Sequence, residues 1–256
     1  MKFLPLLPVA LLLATLPVFG KEVKKDSPEL AAKEELYENR KKDFANPKVD
    51  HPDRPNVLII GDSISIGYTR YVRGALKDRF DIYRIPSNGK HSSFGLKQLD
   101  KWLAAKPAQW DLIHFNWGLW DLCYRHPEST EQGHRDKVRG NLTTTLKDYK
   151  RNLEQLVKRL KKTEATLIWA ATTPVPEGEA GRKVGDDLNY NQVAAKVMKT
   201  HGVLINDLHT HALKELPETM AGKGDVHFTV AGYQHLAEKV SQEIVAALPQ
   251  VDPSKK

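Results

Sequence analysis

Ser63 stands at a point in the chain where a hydroxyl group is well placed to act as a nucleophile. It lies in VLIIGDSISIGYTRY, an apolar run that stops at Gly61 and continues as an amphipathic segment. Because glycine lets the backbone turn sharply, this pattern predicts a strand followed by a helix that begins near Ser63. Unpaired N–H groups and the helix dipole favour an oxyanion there. The pattern is equally typical of a helix N-cap, since aspartate and serine are preferred caps.

The rest of the chain alternates between strands and helices that would hold such a turn in place. Short apolar, β-rich runs cover residues 56–60, 81–86, 111–116, 166–171 and 203–206. Helical patterns lie near residues 66–79, 94–105, 145–162, 189–201 and 230–248. This alternation predicts a parallel sheet covered on both faces, which is a three-layer α/β/α sandwich. Functional side chains are then expected in the loops at the carboxyl ends of the strands.

Composition limits the domain organisation. The 256 residues suit one domain, predicted at residues 55–250, between a charged arm at 21–54 and a tail at 251–256. Residues 1–20 combine Lys2 with an apolar stretch that is short and rich in proline, which predicts a secretory signal peptide rather than a retained membrane anchor. We therefore expect a secreted or periplasmic protein with no membrane span after processing.

The charge pattern argues against a nucleic-acid-binding protein, and the cysteine content argues against one stabilised by disulfides. The net charge is +7, but acids and bases are interspersed and no basic stripe is interleaved with aromatic residues, so nucleic acid is not an expected partner. Cys123 is the only cysteine, so no internal disulfide can form and stability must come from the core. We expect Cys123 to be a buried apolar side chain.

The segment IGDSIS resembles the first motif of the SGNH hydrolases, the GDSL esterase and lipase superfamily. The resemblance implies a flavodoxin-like sandwich with a five-stranded parallel sheet and a catalytic serine, here Ser63. It also implies a small-molecule or glycan ester as the substrate, and neither a metal nor another cofactor. The closely spaced His209 and His211 are compatible with a metal site, but the sequence positions no third ligand beside them.

The segment GDVHFTVAGYQHLA resembles the last motif of the same superfamily, where a histidine acts as the base. His227 takes that position, and an imidazole can accept the serine proton and later return it. Family members usually have an aspartate three residues before this histidine, where this chain has Gly224. The acid is instead Asp225, so either Asp225 or a backbone carbonyl orients the His227 ring.

The two middle motifs, which supply oxyanion donors in the superfamily, are altered. After the second predicted strand, Gly89 takes the place of the donor glycine, with Lys90 as the neighbouring alternative. In WDLIHFNWGLWDL, the ungapped alignment puts Trp120 where the oxyanion asparagine belongs. Asn116 is the only nearby amide, and it could instead be a buried side chain bonded to neighbouring loops. An indole N–H can also donate, so the choice between Asn116 and Trp120 stays open.

Aromatic residues beside the third motif suggest a substrate. Trp117, Trp120 and Tyr124 could form a platform for sugar rings, and residues 122–144 are long enough for a specificity insertion. We therefore expect an exported serine esterase that hydrolyses short-chain esters, acetyl esters above all, on carbohydrates through an acyl-enzyme. A glycan-binding module without hydrolytic activity and an O-acyltransferase that uses the same nucleophile are the alternatives.

Overall fold

A five-stranded parallel sheet lies at the centre of the computed structural model, which describes residue 46 and residues 51–105, 109–216 and 218–249. In chain order the strands are β1 (Asn56–Ile60), β2 (Asp81–Arg84), β3 (Leu112–Phe115), β4 (Tyr124–Arg125), β5 (Asn141–Leu142), β6 (Thr166–Ala170) and β7 (Leu204–Asn206). The central sheet has the order β2-β1-β3-β6-β7, and all its pairs are parallel. This is the flavodoxin-like order, and the predicted fold class is confirmed.

Two groups of helices accompany the sheet. The helices are α1 (Ser63–Leu76), α2 (Ser92–Leu103), α3 (Leu146–Leu160), α4 (Asp186–His201), α5 (Leu208–Leu213) and α6 (Val230–Ala247), with a 3-10 turn at Lys161–Thr163. Helix α6 contacts both α1 and α5, and helix α3 contacts both α2 and α4. None of the helices in the described ranges is long and apolar enough to cross a membrane.

Parallel strands that are covered on both faces are buried along their whole length. Residues 57–60 of β1 and 112–115 of β3 are all buried, which explains why these strands read as continuous apolar runs. The one polar residue in these runs, His114, is buried as well, with its Nε2 atom 3.2 Å from Nδ2 of Asn206. Cys123 is free and buried, as expected.

The described part of the N-terminal arm covers the edge strand β2. The Asn46 carboxamide accepts from the Arg84 N–H at 2.8 Å and donates to the Arg84 carbonyl at 3.1 Å. At the other end of β2, the His51 N–H donates to the Asp81 carboxylate at 2.8 Å. The two bonds of Asn46 occupy backbone groups that an edge strand would otherwise expose. The predicted signal peptide lies outside the described residues.

Candidate active site

Three side chains that are far apart in the sequence form one hydrogen-bonded chain at the carboxyl edge of the sheet. The Ser63 Oγ atom lies 2.9 Å from Nε2 of His227. On the other side of the ring, Nδ1 of His227 lies 2.6 Å from the Asp225 carboxylate. These are the three residues predicted from the sequence, and the structure brings them together. The geometry is that of a nucleophile, a base and the acid that orients it.

The helix that carries Ser63 is capped by the preceding residue and not by Ser63 itself. Asp62, which is buried, is the N-cap of α1, and its side chain accepts the Ile64 N–H at 3.0 Å. Ser63 is therefore the first residue of the helix rather than its cap, and its hydroxyl is left to His227. Among the described residues, the Ser63 N–H has no hydrogen-bond partner. A half-buried hydroxyl with an unpaired N–H is suited to attack a carbonyl and to hold the resulting oxyanion.

Asp225 reaches the His227 ring although it lies one position later than the acid of the superfamily. Gly224 has a φ of +72°, and an added Cβ atom would lie 2.6 Å from the Gly178 carbonyl oxygen, so this turn requires glycine. Asp225 Oδ1 accepts from both the backbone N–H and the ring Nδ1 of His227, at 3.0 and 2.6 Å. These bonds to His227 lower the pKa of Asp225 to about 2 against the opposing effect of burial, so Asp225 stays ionised.

The glycine expected to donate to the oxyanion is paired elsewhere. The Gly89 N–H donates to the Gly61 carbonyl at 2.9 Å, and an added Cβ atom would lie 2.7 Å from that oxygen. The neighbouring Lys90 N–H donates to the Asn88 side chain at 2.8 Å. Gly89 is therefore required for the close approach of two loops, and its N–H, predicted to donate to the oxyanion, is bound to the Gly61 carbonyl in this structure.

The amide of Asn116, the other predicted oxyanion donor, is also bound to protein groups. Its Nδ2 atom donates to the Ala170 carbonyl at 2.7 Å and to the Thr172 hydroxyl at 3.2 Å, so both amide hydrogens bind the end of β6. The Trp120 side chain, by contrast, is only half-buried, and its indole N–H has no hydrogen-bond partner in the part of the chain that the structure describes. Of the two side chains considered for this position, Trp120 has the available donor.

We expect Asn116→Ala to lower the free energy of unfolding by about 1–3 kcal/mol with little change in kcat, because its amide binds the protein itself. Trp120→Phe removes only the indole N–H, and it should lower kcat by about 10²–10³ if that group donates to the oxyanion. Denaturant unfolding and steady-state kinetics measure the two effects. Asn152→Ala, which removes buried bonds to Ser92 and Ser93, is the matched control. A large loss of kcat in Asn116→Ala alone would contradict this expectation and identify Asn116 as the oxyanion donor.

The predicted aromatic platform is only partly available. Trp117 has 1% of its surface exposed, and its Nε1 atom lies 3.3 Å from the Gly89 carbonyl, so it belongs to the core and the prediction for it is wrong. Trp120 and Tyr124 are half-buried. The Arg125 guanidinium lies 4.5 Å from the Trp120 ring centroid, and the Lys183 ammonium 4.4 Å from that of Tyr124. Each of these rings therefore already carries a cation on one face.

A buried ion cluster holds the 122–144 insertion against the loop after β6, and sequence analysis missed it. The fully buried Glu179 carboxylate accepts from Arg135 of the insertion at 2.6 Å and from Arg182 at 2.8 Å. Arg182 also donates to the Leu119 carbonyl at 2.7 Å. Gly178, next to Glu179, contacts the Gly224 turn that precedes Asp225. In the sequence these residues are indistinguishable from surface charges.

We expect Glu179→Gln to lower the free energy of unfolding by about 3–5 kcal/mol, because it leaves two guanidinium groups without their buried counter-ion. Denaturant unfolding measures this. The control is Glu154→Gln, since Glu154 lies in an exposed pair 3.8 Å from Lys150 and should contribute less than about 1 kcal/mol. Equal stability of the two variants would contradict the structural role of Glu179.

The histidines considered for a metal site have separate partners. His209 lies 2.7 Å from the Asp187 carboxylate in a buried pair, and His211 stacks on His235 with ring centroids 3.9 Å apart. Within the described ranges, no group of three His, Cys, Asp or Glu residues is arranged to hold a metal.

The sheet order and the serine at the end of its first strand define an SGNH-type α/β hydrolase. The profile of the GDSL-like Lipase/Acylhydrolase family matches residues 59–235, and the chain belongs to this family. It is therefore a carboxylic ester hydrolase. No curated protein matches the chain.

Solved structures with the same fold include two esterases and a lipase/acylhydrolase. A lipase/acylhydrolase from Enterococcus faecalis is 20% identical with a TM-score of 0.60, over 78% of this chain and 98% of the other. The acetylxylan esterase Axe2 from Geobacillus stearothermophilus is 20% identical with a TM-score of 0.59, over 74% and 94%. The acetyl xylan esterase AlAXEase is 16% identical with a TM-score of 0.58, over 74% and 99%. At these identities the likeness establishes the fold alone.

Proposed function

We propose that this chain hydrolyses short-chain esters, acetyl esters above all, on carbohydrates through an acyl-enzyme formed on Ser63. The observation that carries this proposal is the hydrogen-bonded chain from Ser63 through His227 to Asp225. Such a chain lets a neutral imidazole remove the hydroxyl proton as the oxygen attacks.

The reaction takes two steps. Ser63 Oγ attacks the ester carbonyl while its proton passes to Nε2 of His227, and the Ser63 N–H donates to the oxyanion that forms. His227 then protonates the departing alcohol oxygen, which leaves an acetyl group on Ser63. In the second step a water molecule gives a proton to His227 and attacks this ester. His227 then returns the proton to Ser63 Oγ, so that acetate leaves and the Ser63 hydroxyl is restored. Asp225 keeps the ring oriented and stabilises its charged form throughout.

Two observations support a carbohydrate ester as the substrate. Axe2 and AlAXEase, which share this fold, are described as acetyl xylan esterases. Trp120 and Tyr124 are half-buried rings in or beside the insertion, and aromatic faces of this kind bind sugar rings.

The substrate proposal is tested with a chain-length series. We expect 4-nitrophenyl acetate to be hydrolysed with a higher kcat/KM than the butyrate and octanoate esters, and acetylated xylo-oligosaccharides to release acetate. Product analysis with an added sugar acceptor separates hydrolysis from acyl transfer. A folded protein that binds these oligosaccharides without releasing acetate would instead be a glycan-binding module.

Export is a separate proposal that depends on residues 1–20. If these residues are a signal peptide, the protein recovered from the periplasm or medium of an expressing cell lacks them. Mass spectrometry of the intact protein measures this, and a full-length cytoplasmic product would contradict it.

A further inference from the structure

Arg84, the last residue of β2, is a charged side chain buried directly behind the Ser63 turn. It has 1% of its surface exposed. Its Nη2 atom donates to the Gly61 carbonyl at 3.0 Å, the Asp62 carbonyl at 3.2 Å and the Ser65 hydroxyl at 3.0 Å. Its Nη1 atom donates to the carbonyls of Ile85 and Ser87 at 2.8 and 3.0 Å. One guanidinium thus ties the turn after β1 to the loop after β2.

These contacts bear on the direction of the Ser63 N–H. The Asp62 carbonyl and the Ser63 N–H belong to one planar trans peptide, in which they point in opposite directions. Because the carbonyl faces Arg84, the N–H faces away from it. Within the described ranges this N–H donates to no protein group, as a group that binds an oxyanion must. The guanidinium of arginine presents donors from two terminal nitrogens in a fixed planar fork, whereas lysine presents its three donors from a single nitrogen on a flexible stem.

The arm and the second loop fix Arg84 in turn. The Asn46 carboxamide brackets the Arg84 backbone through both its N–H and its carbonyl. The Gly61 carbonyl, which accepts from Arg84, also accepts from Gly89, so the glycine expected in the oxyanion site instead braces the nucleophile turn. The arm, β2 and the Gly89 loop therefore all converge on the peptide groups that precede Ser63.

We propose that Arg84 is a positioning residue for ester hydrolysis, which holds the Asp62–Ser63 peptide so that the Ser63 N–H meets the developing oxyanion. This inference rests on the proposed function of Ser63. Arg84 does not touch the substrate, so its loss should weaken binding of the transition state and leave binding of the ground state unchanged.

The test compares Arg84→Met and Arg84→Lys with the wild type, using 4-nitrophenyl acetate. We expect Arg84→Met to lower kcat by about 10² with KM nearly unchanged, as for a lost oxyanion interaction. Arg84→Lys keeps the charge and one nitrogen donor, so it should recover part of that loss. Phosphonylation of Ser63 by a small fluorophosphonate should slow in parallel, because its transition state also places a negative oxygen at the Ser63 N–H.

The variants are expected to fold because the carbonyls of the turn keep other donors. Gly61 retains Gly89, and Asp62 retains the Ile66 N–H at 3.2 Å and the Ser65 hydroxyl at 2.8 Å. Two controls separate positioning from stability. Leu153→Ala destabilises the core in α3, and Arg159→Met removes a guanidinium bound to the Leu96 carbonyl, both away from the turn. Both controls should keep the kcat of the wild type.

Two outcomes would overturn the role of Arg84. One is a folded Arg84→Met variant with wild-type kcat, and the other is a loss that only matches the fall in the folded fraction measured by circular dichroism. If Arg84→Met does not fold, Arg84→Lys decides, since wild-type kcat in that variant would show that the arginine fork is not needed. A wild-type protein without esterase activity would instead refute the proposed function.

Discussion

Replacing Ser63 by alanine is expected to lower kcat/KM for acetyl esters by about 10³–10⁶, because the acyl-enzyme route loses its nucleophile. The residual rate reflects substrate binding and the remaining oxyanion donors acting on a water molecule. The hydroxyl of Ser63 bonds only to His227 among the described residues, so its removal should leave the fold intact. Steady-state hydrolysis, with a circular dichroism spectrum of the same sample, measures both expectations.

The matched control for this variant is Ser241→Ala. Ser241 is a buried serine of α6 whose hydroxyl has no hydrogen-bond partner among the described residues. Ser241→Ala removes the same atom from a helix of the same domain, and this variant should keep the wild-type rate. A folded Ser63→Ala protein with the activity of Ser241→Ala would contradict the mechanism.

Replacing His227 by glutamine should produce the next largest loss, of about 10³–10⁵ in kcat, because the Ser63 proton then has no acceptor. Asp225→Asn should cost less, since the carboxylate is 43% exposed and water can partly replace it. Rates of the variants measure these effects.

The kinetic parameter that each variant changes shows the role of the replaced residue. If Asp225 only orients the ring, the loss in Asp225→Asn lies in kcat and KM stays constant. A folded His227→Gln variant with near wild-type kcat would remove His227 from the mechanism.

Much of the fold could be predicted from the sequence because local and tertiary signals agree. The strand at residues 56–60 was predicted with the bounds that the structure gives it. The first helix begins at Ser63, as the strand-to-helix turn predicts, although the helical pattern itself was placed near residues 66–79, because the Asp62 cap lies before the amphipathic pattern starts. The small β4-β5 sheet was missed, since two-residue strands leave no periodicity to read.

The site could be predicted only as far as motifs encode it. Ser63 and His227 stand in recognisable segments, and Asp225 is the only acid close enough in sequence to reach the ring. The roles of Asn116 and Trp117 depend on partners that sequence does not place, such as the Ala170 carbonyl on β6.

Arg84 was overlooked for the same physical reason. A charged residue at the end of a strand is usually solvated, and nothing local indicates that the carbonyls of another turn surround it. Burial of its guanidinium is a tertiary property, so only the folded chain reveals it.

Labelling with a fluorophosphonate serine probe, followed by mapping of the adduct by mass spectrometry, tests most directly whether Ser63 is the nucleophile. We expect one adduct, on the peptide that contains Ser63, and none in the folded Ser63→Ala variant. Absence of an adduct on the folded wild type, or an adduct on another serine that persists in Ser63→Ala, would contradict this expectation.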